Sequence, residues 1–338
     1  MARLDALRLL DQSSFGVTSK DLAHVEQIGI AAYLEEQFAK PRTGYHGFTY
    51  RQTTAPENCR TVPGAPASAA SLCARDHYTL FELQRQFFAN AMTGEDQLRQ
   101  RVAFALSQIF VVSGTRISHA AGMAGYQNLL LEHAFGNFRE LLEAVALSPV
   151  MGVYLDAANN AKANAASGTK PNENFARELL QLFCIGTVQL QPDGTPLTVN
   201  GEPVATYNQA VVQAYARVFT GWTYAPLPGG ISKWTNPSNL TEPLVSIDAE
   251  HDIGAKRILD DVTLPAKQTA AQDLDQALDA LAGHANVGPF IGRRLIQHLV
   301  TSNPSSQYLA RIAAVFDDNG AGVRGDLQAV VRAILPDP

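Results

Sequence analysis

One segment, residues 170–186, constrains the fold more than any other part of the chain. It begins with polar residues, has no Pro or Gly between Pro171 and Gly186, and becomes apolar toward its end. The start signals at Pro171 and Asn172 and the stop at Gly186 predict a helix of about three to four turns. Because residues 182–185 are apolar on every side of such a helix, its C-terminal half must be enclosed.

The polar half of this predicted helix places several side chains on one stripe. The spacing i, i+3, i+4 and i+7 is occupied by Asn174, Arg177, Glu178 and Gln181. Glu173 lies one turn before Arg177 and flanks the stripe. If the helix enters a core, Arg177 and Glu178 lie near the floor of a cavity, where a charge must be paired or hydrogen-bonded. Two interpretations stay open: a structural network between helices, or a carboxylate tuned for function.

The composition limits the class of protein. The chain has 338 residues, of which 46% are hydrophobic, and this is ample for a sizeable core. A net charge of −6 argues against nucleic acid as the main partner, because phosphate binding needs a basic face. No run of about 18 apolar residues exists, so we expect no membrane span.

Helical periodicity recurs along most of the chain and predicts a mainly α fold, a multi-helix orthogonal bundle with long loops. The turn signal Asn200-Gly201 between alternating apolar residues adds a small β-hairpin appendage near 188–204. We expect a single large domain, 1–338. Its predicted parts are an N-terminal helical cap at 1–39, a long loop at 40–74, central helices at 75–222, a loop region at 223–265 and C-terminal helices at 266–338.

The three cysteines differ in context. Cys59 and Cys73 bracket a loop rich in Pro, Ala and Ser, and a disulfide closing about 15 residues would stabilise it by roughly 3 kcal/mol. Two free thiols or a metal pair are the alternatives, although no second Cys/His pair has zinc-like spacing nearby. Cys184 lies in the apolar part of the central helix, which indicates a small buried hydrophobe.

The central motif, residues 172–179, resembles the signature of the bacterial domain of unknown function 1800 family. The resemblance extends over nearly the whole chain, through the stretches 8–10, 14–16, 96–101, 154–156, 216–217, 220–222, 251–252 with Lys256, and 288–291. It implies an exported, mostly helical bacterial protein and supplies no reaction. Residues 1–8 lack the apolar core of a signal peptide. Because the resemblance to this exported family begins at residue 8, it implies that Met1 replaces a removed leader and that the protein is secreted or periplasmic; a cytoplasmic protein is the alternative.

Other parts of the chain supply further candidate site residues. Asp156 ends a short apolar segment just before a polar loop, where it is either a site carboxylate or an Asx-turn. Asp252 and Lys256 would be the cap and an i,i+4 partner of a helix that starts there, which leaves His251 as an unexplained acid/base candidate. Trp222 and Tyr224 begin an irregular loop and would either stack on sugar rings or plug a helix end.

These residues favour an exported hydrolase, a glycoside hydrolase that acts on a polysaccharide or oligosaccharide by carboxylate acid/base catalysis and needs no cofactor. The predicted catalytic residues are Glu178, Glu173, Asp156, Asp252 and His251. The predicted substrate-binding residues are Asn172, Asn174, Arg177, Lys256, Trp222 and Tyr224. The motifs of serine acyl transfer, nucleotide binding and zinc proteolysis do not occur. The alternatives are a non-catalytic envelope binding or assembly protein, and a metal-dependent enzyme that uses His and carboxylates.

Overall fold

A computed structural model describes residues 3–48, 68, 71–73, 75 and 79–337 of the chain. The described part is mainly α-helical with small antiparallel two-strand sheets, as the periodicity predicted. The first helices are α1 Arg3–Ser13, α2 Ser19–Ile28, α3 Ile30–Ala39, α4 Phe81–Thr93, α5 Gln97–Ile109, α6 Ala120–His133, α7 Phe138–Ala146 and α8 Pro149–Tyr154. The later helices are α9 Asn174–Glu178, a π-helix Leu179–Cys184, α10 Gln209–Val218, α11 Ala270–Gly283, α12 Val287–Leu299, α13 Ser306–Asp317 and α14 Leu327–Ile334.

Side-chain caps fix several helix starts. The side chain of Asn137 accepts a hydrogen bond from the backbone N–H of Arg139 at 2.9 Å, as expected for the residue before α7. Thr269 and Gln272 form a reciprocal capping box at the start of α11. These contacts satisfy backbone N–H groups that have no partner inside their own helix.

Most buried apolar side chains of the described residues form one continuous cluster. A row of aromatic rings runs through it from the π-helix to α13, with centroid distances of 5.4 Å between Phe183 and Phe110, 6.3 Å between Phe110 and Phe138, and 5.4 Å between Phe138 and Phe316. Such tilted and edge-to-face contacts add to the stabilisation from apolar burial. The row connects central helices to C-terminal ones.

Cys184 is a fully buried free thiol at the end of the π-helix. Burial raises its pKa well above the usual value. Its predicted role as a small buried hydrophobe is therefore confirmed.

The predicted hairpin exists. Strand β1, Thr198–Val199, pairs antiparallel with β2, Glu202–Pro203. The turn residues Asn200 and Gly201 both have positive φ, 54° and 85°, which is the geometry that an Asn-Gly turn favours.

The hairpin near 188–204 is not the only strand pair among the described residues. Strand β3, Trp222–Thr223, pairs with β4, Val245–Ser246. Strand β5, Lys256–Arg257, pairs with β6, Thr263–Leu264. The same finding corrects the helix predicted to start at Asp252, because Lys256 belongs to a strand. Pairs this short carry no alternation of polar and apolar residues by which a sequence could reveal them.

The central segment is helical and ends at Gly186 as predicted, but it is not one α-helix. After Glu178 it becomes π-helical, and the N–H of Ile185 donates to the carbonyl of Leu180, five residues earlier, at 3.0 Å. π-Helical turns are rare and frequently occur at functional sites. The change in winding begins directly after the glutamate of the polar stripe.

Some predictions fall outside the described residues. Cys59 lies there, so the Cys59–Cys73 disulfide stays a prediction, and most of the loop predicted at 40–74 lies there as well. Among the helices that the structure describes, none combines the length and the apolar character needed to cross a lipid bilayer.

Gly186 offers a test of how the central helix ends. Its φ is +69°, and an added Cβ would lie 2.9 Å from Cε2 of Phe290. Gly186→Ala should therefore lower the free energy of unfolding by at least about 1–2 kcal/mol, measured by denaturant titration. Gly16→Ala is the matched control, because its Cβ would meet no described atom within 4 Å. Equal stability of the two variants would contradict this description of the helix end.

Candidate functional site

A buried asparagine, Asn160, positions the start of the central helix. Its side-chain amide donates to the carbonyls of Ala216 and Phe219, at 3.4 and 3.2 Å, at the end of α10. Its side-chain oxygen accepts the backbone N–H of Asn172 at 2.7 Å, and Asn172 in turn accepts the N–H of Asn174 at 2.8 Å. The polar end of α9 is thus tied to the C-terminal end of α10.

Asp156 lies against this helix start. It follows α8 with a positive φ of 56°, a conformation that few non-glycine residues adopt. Arg116 contacts its Oδ1 at 3.3 Å, and the side-chain amide of Asn174 donates to its Oδ2 at 3.3 Å. Asp156, Arg116 and Asn174 are all exposed, so the three side chains form a fixed polar rim that solvent reaches.

Glu173 and Arg177 form a second polar group on the neighbouring face of α9. Their side chains are 2.7 Å apart, and Gln209 of α10 donates to the same glutamate oxygen at 2.8 Å. Gln209 also accepts from Arg177 at 3.2 Å. Both charged side chains are partly exposed, so the pair contributes little to stability, typically about 0–1 kcal/mol.

Glu178 has different surroundings. Its Oε2 is buried and has no hydrogen-bond partner among the described residues. It lies four residues after Asn174, on the same side of α9 as the contact with Asp156. Tyr207 lies close enough to interact electrostatically with Glu178. Burial raises the pKa of Tyr207, Arg177 lowers it, and Glu178 raises it further.

The structure therefore brings together Asp156, Asn172 and Asn174 at the helix start, with Glu173 and Arg177 beside them. Glu178 lies one helical turn after Asn174. Sequence reasoning missed Arg116, Tyr207 and Gln209. Each is about 30 or more residues from its contact in the chain, and nothing in its local pattern marks it as part of a site.

His251 lies in the interior instead. Its side chain is fully buried, with Nδ1 2.8 Å from the carbonyl of Thr220 and Nε2 3.0 Å from Asp273. Both ring nitrogens thus face oxygen acceptors, and neither is free to contact a substrate.

Lys256 is buried in the same cluster. Its ammonium group lies 2.5 Å from Asp273 and donates to the carbonyls of Gly254, at 3.0 Å, and Asp252. Burial raises the pKa of Asp273, but hydrogen bonds from His251, Lys256 and Gln268 outweigh it, and the net shift is downward. A buried charge with this many partners has a structural explanation.

Asp252 is paired with Arg217 through two bonds of 2.9 Å. Burial raises its pKa, and the arginine and the N–H of Gly254 lower it by more. Trp222 and Tyr224 are each only 7% exposed, so neither ring is open for stacking on a sugar. These residues do not join the polar rim at the start of α9.

The described residues contain no group of three or more His, Cys, Asp or Glu side chains that could hold a metal ion. The metal alternative required His251, Asp252, Glu178 and Asp156 to converge. Instead, His251 contacts Asp273, and Asp252 forms an ion pair with Arg217.

Residues 8–338 match the family described as a protein of unknown function, DUF1800. The chain belongs to the DUF1800 family. The match covers nearly the whole chain and confirms the resemblance carried by residues 172–179. Neither a curated protein nor a solved structure matches this member of DUF1800.

The buried Asp273 gives a test of the interior cluster. Asp273→Asn leaves Lys256 and His251 buried without a charged partner, so we expect a loss of about 3–5 kcal/mol of unfolding free energy in denaturant titrations. Asp275→Asn, an exposed change on the same helix, should cost no more than about 1 kcal/mol. Similar losses in both variants would contradict a structural role for the cluster.

The carboxylate of Asp273 should also make the free energy of unfolding depend on pH. The pKa of Asp273 is lower in the folded protein than in the unfolded chain, so the folded state binds fewer protons. The stabilisation that ionised Asp273 contributes is present above the pKa of an Asp in the unfolded chain, about 3.9. It is lost as the pH falls through the lower pKa that Asp273 has in the folded protein. The stability of Asp273→Asn should consequently fall less steeply than that of the wild type in this acidic range.

Proposed function

We propose that this DUF1800 protein is a hydrolase that acts on a polysaccharide or oligosaccharide at the polar rim beside α9. The observation that supports the proposal is the hydrogen bond between Asn174 and Asp156, one helical turn before Glu178. Cβ atoms one turn apart are about 5–6 Å from each other, so Asn174 and Glu178 lie on the same side of the helix.

The two carboxyl groups have the unlike surroundings that glycoside hydrolysis requires. Asp156 is held by Arg116 and Asn174, contacts that suit a carboxylate acting as a base or a nucleophile. Glu178 has one enclosed oxygen without a hydrogen-bond partner among the described residues, which suits an acid that donates its proton to the leaving oxygen. Glycosidases place such groups about 5–9.5 Å apart.

The neighbouring side chains suit the binding of a sugar polymer. Asn172, Asn174 and Arg177 present amide and guanidinium donors at the same helix start, and sugar hydroxyls accept and donate in such contacts. The π-helix that begins after Glu178 is a further feature found more often at functional sites than elsewhere.

A non-catalytic binding protein of the envelope is the second candidate. It is favoured by the pairing of Asp156 with Arg116 and of Glu173 with Arg177, because charges compensated in this way also occur in purely structural networks. The buried positions of Trp222 and Tyr224 remove the stacking platforms expected of many glycosidases.

The carboxyl groups can be tested by a screen for soluble products from bacterial and plant polysaccharides. Glu178→Gln and Asp156→Asn keep the shape of the site but remove the acid or the base, so each should lower the rate about 10²-fold or more while changing stability modestly. Glu202→Gln, on the exposed strand β2, is the matched control and should retain full activity.

The outcomes separate the two candidates. Polysaccharide binding by all variants without product from the wild type would favour the binding protein. Full activity of Glu178→Gln, or a melting temperature far below that of the wild type, would mean that Glu178 has a structural role. Either result would overturn the catalytic assignment.

We also propose that the protein works outside the cytoplasm, where a bridge between Cys59 and Cys73 would persist. Non-reducing peptide mapping of oxidatively folded protein should recover these two cysteines in one linked pair. Cys184 serves as the internal control and should be recovered as a free thiol. Recovery of all three as free thiols would contradict the predicted bridge.

A further inference from the structure

A cavity of about 510 Å³ opens between α6, α7, the start of α8 and the loop 240–243. Its volume is in the range of small-molecule sites, roughly 300–1,000 Å³. Apolar side chains such as Tyr126, Leu129 and Leu147 form much of its wall. None of the residues of the polar rim at α9 lines it, so the cavity is a separate candidate site.

Two glycines one turn apart on α6 shape the floor. A Cβ on Gly122 would lie 2.9 Å from the Cβ of Leu240, so this glycine lets the loop approach the helix closely. A Cβ on Gly125 would meet no described atom within 4 Å, and the position is exposed toward the cavity that it lines. Glycine inside a helix costs about 0.5–1 kcal/mol relative to Ala, and here the missing side chain leaves open space.

The charged residues of the cavity wall are acidic. Glu140, Glu143 and Glu242 line the cavity, and its described lining includes no Lys or Arg. Arg139 does not line the cavity but pairs with Glu143. It also pairs with Asp275 and Asp279, so its single positive charge is shared among three carboxylates.

His133, which also lines the cavity, adds little positive charge near neutral pH. Burial lowers its pKa, and the opposing effect of Glu132 and Glu140 is smaller. Among the described lining residues, the charged groups near neutral pH are therefore the carboxylates.

A buried hydroxyl group points to a ligand as well. Ser148 lines the cavity and is only 4% exposed. It precedes α8, but its side chain makes no capping hydrogen bond and has no other hydrogen-bond partner among the described residues. Because Ser148 lines the cavity, its hydroxyl group can donate or accept a hydrogen bond with a polar group that enters it.

We propose that this cavity binds a small organic cation, an ammonium or guanidinium group carried on an apolar body. The carboxylates attract the charged head, Ser148 accepts a hydrogen bond from it, and the apolar wall with the open floor at Gly125 takes the body. A metal ion fits less well, because the described residues include no group of three ligands arranged around one point. This site does not depend on the hydrolase proposal.

Three probes of equal chain length test the charge requirement: octylammonium, octanol and octanoate, each titrated into the protein by calorimetry. Octylammonium should bind at least tenfold more tightly than octanol, octanoate should bind weakest, and the affinity for octylammonium should fall as salt is added.

Variants locate the binding. Gly125→Leu should fill the floor and weaken octylammonium binding at least tenfold, while the melting temperature stays level or rises because a helical glycine is replaced. Glu140→Gln and Ser148→Ala should each weaken binding severalfold. The matched controls are Gly283→Leu, a helical glycine outside this cavity, and Glu132→Gln, a glutamate of α6 that does not line it; neither should change the affinity.

Each other outcome overturns the proposal. Equal affinity for octanol would make the cavity an apolar groove with no preference for charge. Binding that survives Gly125→Leu would place the probe elsewhere, and no binding of octylammonium at millimolar concentration would leave the cavity without the proposed ligand class.

Discussion

The fold around the candidate site depends on one buried carboxylate, Asp273 of α11. It holds His251 and Lys256, which belong to the loop after β4 and to β5, against the interior. His251 in turn contacts Thr220 just after α10, and Asp252 is clamped by Arg217 of α10. Without a negative charge at this position, a fully buried lysine and histidine would carry an uncompensated desolvation cost.

The same end of α10 then positions the polar rim. Asn160 donates to two carbonyls there and accepts from Asn172, so an interior electrostatic cluster and an exposed helix start are linked through one short helix. The rim itself can stay polar and partly strained, with Asp156 at positive φ, because the interior contacts determine where α9 begins.

The parts of the fold that were predictable are those with local causes. Helix periodicity and the Asn200-Gly201 turn depend on residues a few positions apart, and both were found. The π-helix after Glu178 has no local sequence signature. His251 was predicted to be an acid/base candidate because its partner Asp273 is 22 residues away, a contact that periodicity does not reveal. Likewise, the contact of Arg116 with Asp156 spans 40 residues.

Our main proposal is that a sugar polymer binds between Asp156 and Glu178. Its most direct test is a crystal structure of Glu178→Gln, which should retain substrate, with an oligosaccharide that the wild type binds in solution. A sugar should lie within hydrogen-bond distance of Asp156 and Asn174, with a glycosidic oxygen facing residue 178. A sugar bound anywhere else on the protein would contradict it.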